Sequence, residues 1–433
     1  MVANGVRVNG HRSRRMGMEV ALEFEASAGV ELSGVEVRER LVVFVNEVVS
    51  GFVLARQREN AGLYVRGLVE QGGRKSLQPT LFRLEETAAR YESMQQFLAD
   101  SPWDPAVVVR RCAERVVPEL GVEAWVLDDT GFPKDGKRSP GVKRQYSGTL
   151  GKIGNCQIGV SVHAVGKRGT APLGWALYLP EDWCDDSERR AKAKIPESVS
   201  FKTKPELGVE LVERAAGWGL AAVPVLGDQA YGDNTALRER LHAAGQGYVL
   251  AVGGQTKVFA PETVFSVPDR AAATGRPKSR ALPDREPEAV GDLIARVAAT
   301  QSRTVAFRDG PDGEPVSSWF VFARVTAAHE WQKGTAAPRR EEWLIAEWPL
   351  GAPEPTDYWI SNLPADTKPE RLARLARLRW KIELDYKQLK GELGLDHYEG
   401  RSWIGWHHHT ALVTVAHGFL TLERLCPTAQ RLA

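Results

Sequence analysis

The sequence predicts an α/β protein: a mixed five-stranded sheet flanked by helices, with an all-α N-terminal domain before it and a mainly β insertion inside it. Three observations carry this. Helical periodicity fills residues 36–119. Strand-length apolar runs, first consecutive and then alternating with helical patterns, fill 120–252. Polar stretches containing Pro and Arg, broken by β-like runs, fill 253–353 before the chain returns to the sheet and its helices in 354–433.

Taken in order, residues 1–35 have no clear period and read as a flexible tail. Leu41, Phe44, Val45 and Val48 mark one N-terminal helix, and Leu81, Leu84, Tyr91, Met94 and Phe97 mark another helical stretch. Between them, Gly72-Gly73-Arg74-Lys75-Ser76 reads either as a solvated turn or as amides and cations offered to phosphate. Trp125–Leu127, Asn155–Val165, Leu173–Leu179, Val223–Leu226 and Gly247–Val252 are the five strands, and Pro205–Trp218 and Asp233–Ala244 the intervening helices. The order β-β-β-α-β-α-β requires a mixed sheet. In the insertion, Thr304–Phe307, Ser318–Val325 and Trp343–Ala346 read as strands. Tyr358–Ser361 returns to the sheet, and Pro369 opens one long helix reaching about Leu393.

Composition narrows the function classes. Of 433 residues, 57 are Lys or Arg and 55 Asp or Glu, so net charge alone does not mark a nucleic-acid binder. The longest apolar runs fall short of the ~20 residues that span a bilayer, and no apolar leader follows the basic start, so a cytoplasmic protein without membrane contact is expected. Four scattered cysteines form neither a disulfide framework nor a zinc ribbon. No Gly-rich phosphate loop of Walker type is present.

Three acids sit where this strand order lets them converge. Asp128 ends the first strand, Asp228 follows the fourth, and Glu383 lies in the long C-terminal helix. Carboxylate oxygens suit Mg²⁺ or Mn²⁺, and two such ions can serve an in-line phosphoryl displacement. Turn capping by the aspartates and an ordinary helix ion pair for Glu383 are the alternatives for each acid alone. At ~100° per residue, Arg379, Glu383, Tyr386 and Lys390 share one helix face beside the apolar row Leu375, Leu378, Ile382 and Leu389. A carboxylate between a guanidinium and an ammonium suits a phosphodiester.

Arg379, three residues, Glu383, six residues and Lys390 resembles part of the signature of the insertion-sequence 4 group of transposases. Asp128-Asp129-Thr130-Gly131-Phe132-Pro133-Lys134, together with Gly141–Gly148 and Gly154–Gln157, is similar to the insertion-sequence 701 branch of the DDE transposases. Phe97–Trp103 and Leu393–Arg401 extend the likeness, while Ala376 stands where the signature has Tyr. The resemblance implies an RNase H-like catalytic domain, with Asp128, Asp228 and Glu383 holding two Mg²⁺ or Mn²⁺ ions. Asp129 is the alternate for Asp128, although strand alternation turns it to the other face. It further implies terminal inverted repeats and target DNA as partners, a homodimer on DNA, and joining of 3′-hydroxyl ends. The DNA-binding residues then include Arg379, Tyr386 and Lys390, and, in the basic segment after the first acid, Lys134, Lys143 and Arg144. A non-cutting DNA-binding descendant and an RNase H-like nuclease without strand transfer are the rival readings. His407-His408-His409 reads as a polar helix surface, and the insertion's Arg270–Arg285 loop as either solvated or within reach of DNA.

Overall fold

The computed structural model describes residues 35–267, 280–310, 314–329, 331–333 and 340–426. The 1–34 tail and most of the Arg270–Arg285 loop lie outside the described residues. Five helices come first: α1 (Val35–Val48), α2 (Ala55–Val69), α3 (Leu77–Arg83), α4 (Ala88–Ala99) and α5 (Pro105–Val116). Next are strands β1 (Val122–Pro133), β2 (Lys143–Ser147), β3 (Lys152–Gly166) and β4 (Thr170–Leu177). Short helices α6 (Glu181–Cys184) and α7 (Ser187–Lys192) precede α8 (Lys204–Ala216), β5 (Val225–Gly227), α9 (Gln229–Gly232), α10 (Thr235–Ala243) and β6 (Tyr248–Val252).

The insertion holds β7 (Lys257–Phe259), β8 (Phe265–Ser266), β9 (Leu282–Pro283), β10 (Glu288–Ala289), helix α11 (Val290–Gln301), β11 (Ser302–Asp309), β12 (Pro315–Ala327) and β13 (Glu341–Glu347). The chain ends with β14 (Asp357–Ser361), α12 (Pro369–Leu378), α13 (Lys381–Gly391) and α14 (Trp403–Leu425).

The sheet is larger than the five strands expected. Twelve strands form one hydrogen-bonded ladder in the order β10-β7-β12-β13-β14-β6-β5-β1-β3-β2, with β4 beside β3 and β11 beside β12. Among the described residues, only β1–β5 and β5–β6 pair in parallel. The insertion therefore continues the same ladder, because β14 pairs with β6 on one side and β13 on the other. Neither α11 nor β2 is expected from the sequence, and Lys143–Ser147 is too polar to announce a strand. β2 forms by pairing with β3 from Lys143 opposite Cys156 to Ser147 opposite Lys152.

Two apolar layers cover the sheet. Val126, Leu226, Val249 and Ile345 pack under Leu372, Leu375 and Leu378 of α12 and Ile382 of α13. Leu127, Val225 and Leu250 face the other way, into a core shared with Val209 and Val212 of α8 and Leu412 and Phe419 of α14. That second core also takes in Phe44, Val48, Tyr64 and Met94 of the N-terminal helices, so α1–α5 share their interior with α14. Arg40 donates both arms to Glu423 at 2.8 and 2.6 Å across that contact.

The three consecutive histidines of α14 are not a polar surface. His408 and His409 are fully buried. His407 Nδ1 meets Trp403 O, His408 meets the carbonyls of Leu98 and Trp103, and His409 meets Tyr64 Oη and Leu395 O. Each ring finds a separate partner because consecutive helix positions point in different directions.

Gly232 ends α9 against β6, where a Cβ would sit 1.7 Å from the backbone oxygen of Ala251. Gly232→Ala is expected to cost about 3 kcal/mol, since backbone must shift to admit the methyl. Urea unfolding checks it, and an unchanged midpoint refutes the close approach.

Candidate active site

The register of β1 and β5 sets the first two acids side by side. β5 pairs with β1 only at Trp125, Val126 and Leu127, and its last residue, Gly227, lies opposite Leu127. The next residue of each strand is Asp128 and Asp228. Asp128 thus stands within β1 and not at its end: the strand runs on to Pro133 against β3, and the crevice opens where β5 stops. Extension through Gly131 depends on its missing side chain, because a Cβ there would lie 2.0 Å from Ser147 Oγ. Asp228 also caps α9, accepting from Ala230 N at 2.9 Å.

Alternation sends Asp128 to the α12–α13 face and Asp129 to the α8 face. Asp129 meets Lys204 Nζ there at 3.0 Å. Lys204 opens α8, whose start is fixed by a capping box between Thr203 and Glu206.

Glu383 reaches the site through Arg379. The expected single helix is two, α12 and α13, joined at Arg379-Trp380 by the shorter bonds Ile382 N to Arg379 O and Glu383 N to Trp380 O. At that break Arg379 Nη1 donates to Asp128 Oδ2 at 2.7 Å, and Nη2 lies 3.5 Å from Glu383 Oε1. Asp128 and Arg379 are largely sequestered, with 12% and 31% of their side chains exposed, whereas Glu383 has 68% exposed. Arg374 forks onto Glu123 at 2.9 and 2.8 Å, tying α12 to the start of β1.

The electrostatics follow from this packing. Burial pushes the Asp128 carboxyl up to about 7; Arg379 pulls against that shift while Asp228 adds to it. Burial works against the charge of Arg379, but Asp128, Asp228 and Glu383 more than offset it and hold its pKa above the ordinary value. Among the described residues, no group of three or more His, Cys, Asp or Glu side chains is arranged to hold a metal ion. The guanidinium links Asp128 to Glu383 instead. In donor chemistry the acids still fit a hard divalent cation, and the mutual field of Asp128 and Asp228 favours positive charge between them.

The other candidates divide. Lys390 Nζ donates to Gly131 O at 2.8 Å and Thr149 Oγ1 at 3.0 Å, and burial lowers its pKa to about 8. Tyr386 Oη is bonded to Ser161 Oγ at 2.8 Å beneath the crevice. Lys134 Nζ donates to Tyr398 O at 2.7 Å, Lys143 pairs with Asp182 at 3.0 Å, and Arg144 stands exposed on β2.

Sequence reasoning missed a buried cluster under α13. Asp385 accepts from His163 Nδ1 at 2.8 Å and from the Thr170 hydroxyl, with His417 Nε2 at 3.8 Å. Burial pushes Asp385 up, but the His163 bond and the two imidazoles outweigh it and hold the carboxyl below its usual range. The available signal was an acid inside an apolar stripe, three residues after Ile382 and four before Leu389. His163→Leu removes the main donor to this carboxylate and is expected to destabilise the fold by about 3 kcal/mol. An unshifted urea midpoint would show that the bond contributes nothing.

The family described as DDE superfamily endonuclease matches residues 47–313, which include Asp128 and Asp228 and stop before Arg379, Glu383 and Lys390. A probable transposase for insertion sequence element IS701 from Microchaete diplosiphon is 30% identical over 145 residues, 33% of this chain and 35% of that relative. The alignment thus spans about a third of the relative's length. The breadth of the family match, across more than half of the sequence, places the chain in the DDE superfamily of endonucleases.

Proposed function

We propose that this chain is an insertion-sequence transposase of the IS701 type, with an RNase H-like catalytic core and Asp128, Asp228 and Glu383 as its catalytic acids. The observation that carries the reading is the parallel register placing Asp128 and Asp228 adjacent, with Arg379 joining Asp128 to Glu383. The three acids are the residues that hold two Mg²⁺ or Mn²⁺ ions, which when bound supply the Lewis acidity that activates water and steadies the leaving oxygen. Arg379 offers a fork for phosphate oxygens, and Lys390 a point charge further along α13. The exposed Arg144 on β2 offers a further cation to a phosphate backbone.

The DNA partners are the terminal inverted repeats and a target duplex, with two chains pairing the two ends. No helix among the described residues is long and apolar enough to cross a membrane. The test is a duplex carrying an element end, incubated with the full chain and Mg²⁺ or Mn²⁺. Nicking at the repeat terminus and joining of the new 3′ end to a second duplex are expected, and both should cease with chelator. DNA binding without any cut would favour a non-cutting descendant, and cutting without joining a plain nuclease.

A further inference from the structure

We infer that Arg379 acts as an internal counter-ion in the acid cluster, occupying the place between Asp128 and Glu383 in competition with the divalent cation those residues hold. The inference rests on the active-site reading above and adds a role to Arg379 beyond contact with phosphate.

The geometry is direct. Both oxygens of Asp128 are already accepting, Oδ2 from Arg379 Nη1 at 2.7 Å and Oδ1 from Asp129 N at 2.8 Å. The second arm of the same guanidinium faces Glu383 Oε1 at 3.5 Å. A hard cation needs at least one of those carboxylate oxygens, and it brings the same sign of charge to the same place. Arginine cannot make room by losing its proton, because it stays charged throughout the working pH range. It has to move. The break between α12 and α13 falls at Arg379-Trp380, so the side chain leaves from a point where the helix ladder is already interrupted.

A phosphodiester is the natural alternative partner for the freed fork, since its two non-bridging oxygens can accept the same pair of N–H bonds that a carboxylate accepts. Metal loading and phosphate capture by Arg379 then favour one another, and by linkage the effect is reciprocal. Free protein holds its acids closed by an ion pair, and protein engaged on DNA releases them.

The experiment titrates Mn²⁺ alone into the full chain without DNA, following free ion by electron paramagnetic resonance and heat by calorimetry. Arg379→Gln is expected to tighten Mn²⁺ binding about tenfold over the wild type. Arg379→Lys, which keeps the charge but loses the fork, should tighten it less. Asp228→Asn should weaken binding in either background, assigning the ion to this cluster. Unchanged or weaker binding in Arg379→Gln, with Asp228→Asn still weakening it, overturns the inference and leaves the active-site reading standing. No Mn²⁺ binding sensitive to Asp228→Asn in any background overturns both. If Arg379→Gln does not fold, Arg379→Lys decides, and absence of tightening there is the refuting result.

Discussion

Asp228→Asn is expected to lower metal-dependent DNA cleavage by roughly a thousandfold or more, because it removes one of two adjacent carboxylates while keeping the shape of the side chain. The substitution separates two roles of one residue. Asparagine retains an oxygen that can accept from Ala230 N, so the cap of α9 survives and the fold should lose little. It also removes a negative neighbour that pushes the Asp128 carboxyl upward. Unfolding temperature should therefore be unchanged or slightly higher, and duplex affinity without metal should not fall. Rate assays on a nicked or intact duplex, alongside thermal unfolding, provide the check. Cleavage within tenfold of wild type would reduce Asp228 to a helix cap.

Acid should unfold this protein well before most carboxylates titrate. Burial lowers the pKa of His407, His409 and His417 to about 4, against an ordinary value of about 6.5 in an open chain. The folded state thus keeps these rings neutral while the unfolded chain takes up protons. Their contribution is present above about 6.5 and is lost as pH falls toward 4. Each ring adds a slope of about 1.4 kcal/mol per pH unit within that window, and the three together amount to several kcal/mol by pH 5. A urea midpoint measured at pH 7 and at pH 5 should fall steeply, and the fall should lessen in His409→Gln. Equal midpoints at the two pH values would mean that the rings bind protons in the folded state as readily as in the open chain.

What the sequence made legible was the alternation of short apolar runs with amphipathic helices, since both periods follow from burying one face. The strands carrying Leu127 and Leu226, the amphipathic row of α12 and the opposite orientation of Asp128 and Asp129 all came from that rule, although β1 runs on past its expected end to Pro133. Elements held by partners distant in sequence were not legible. Lys143–Ser147 is a strand because β3 offers it a ladder, and the insertion joins the main sheet because β14 pairs with β6 along one edge and with β13 along the other. The ionic contacts were hidden for the same reason. The helical spacing that put Arg379 and Glu383 on one face could not say that the guanidinium would turn to Asp128, a strand residue, with its first arm. The histidines of α14 were misread because their acceptors are carbonyls of α4, of the Trp103 segment and of the turn after α13.

The unbroken ladder from β10 to β2 has a mechanical meaning. β6 is hydrogen-bonded to both β14 and β5, and β5 ends one residue before Asp228. A load applied to the distal strands would pass as shear through these rungs to the backbone that aims this carboxylate. The rigidity of the outlying strands thereby bears on how firmly Asp228 is held beside Asp128.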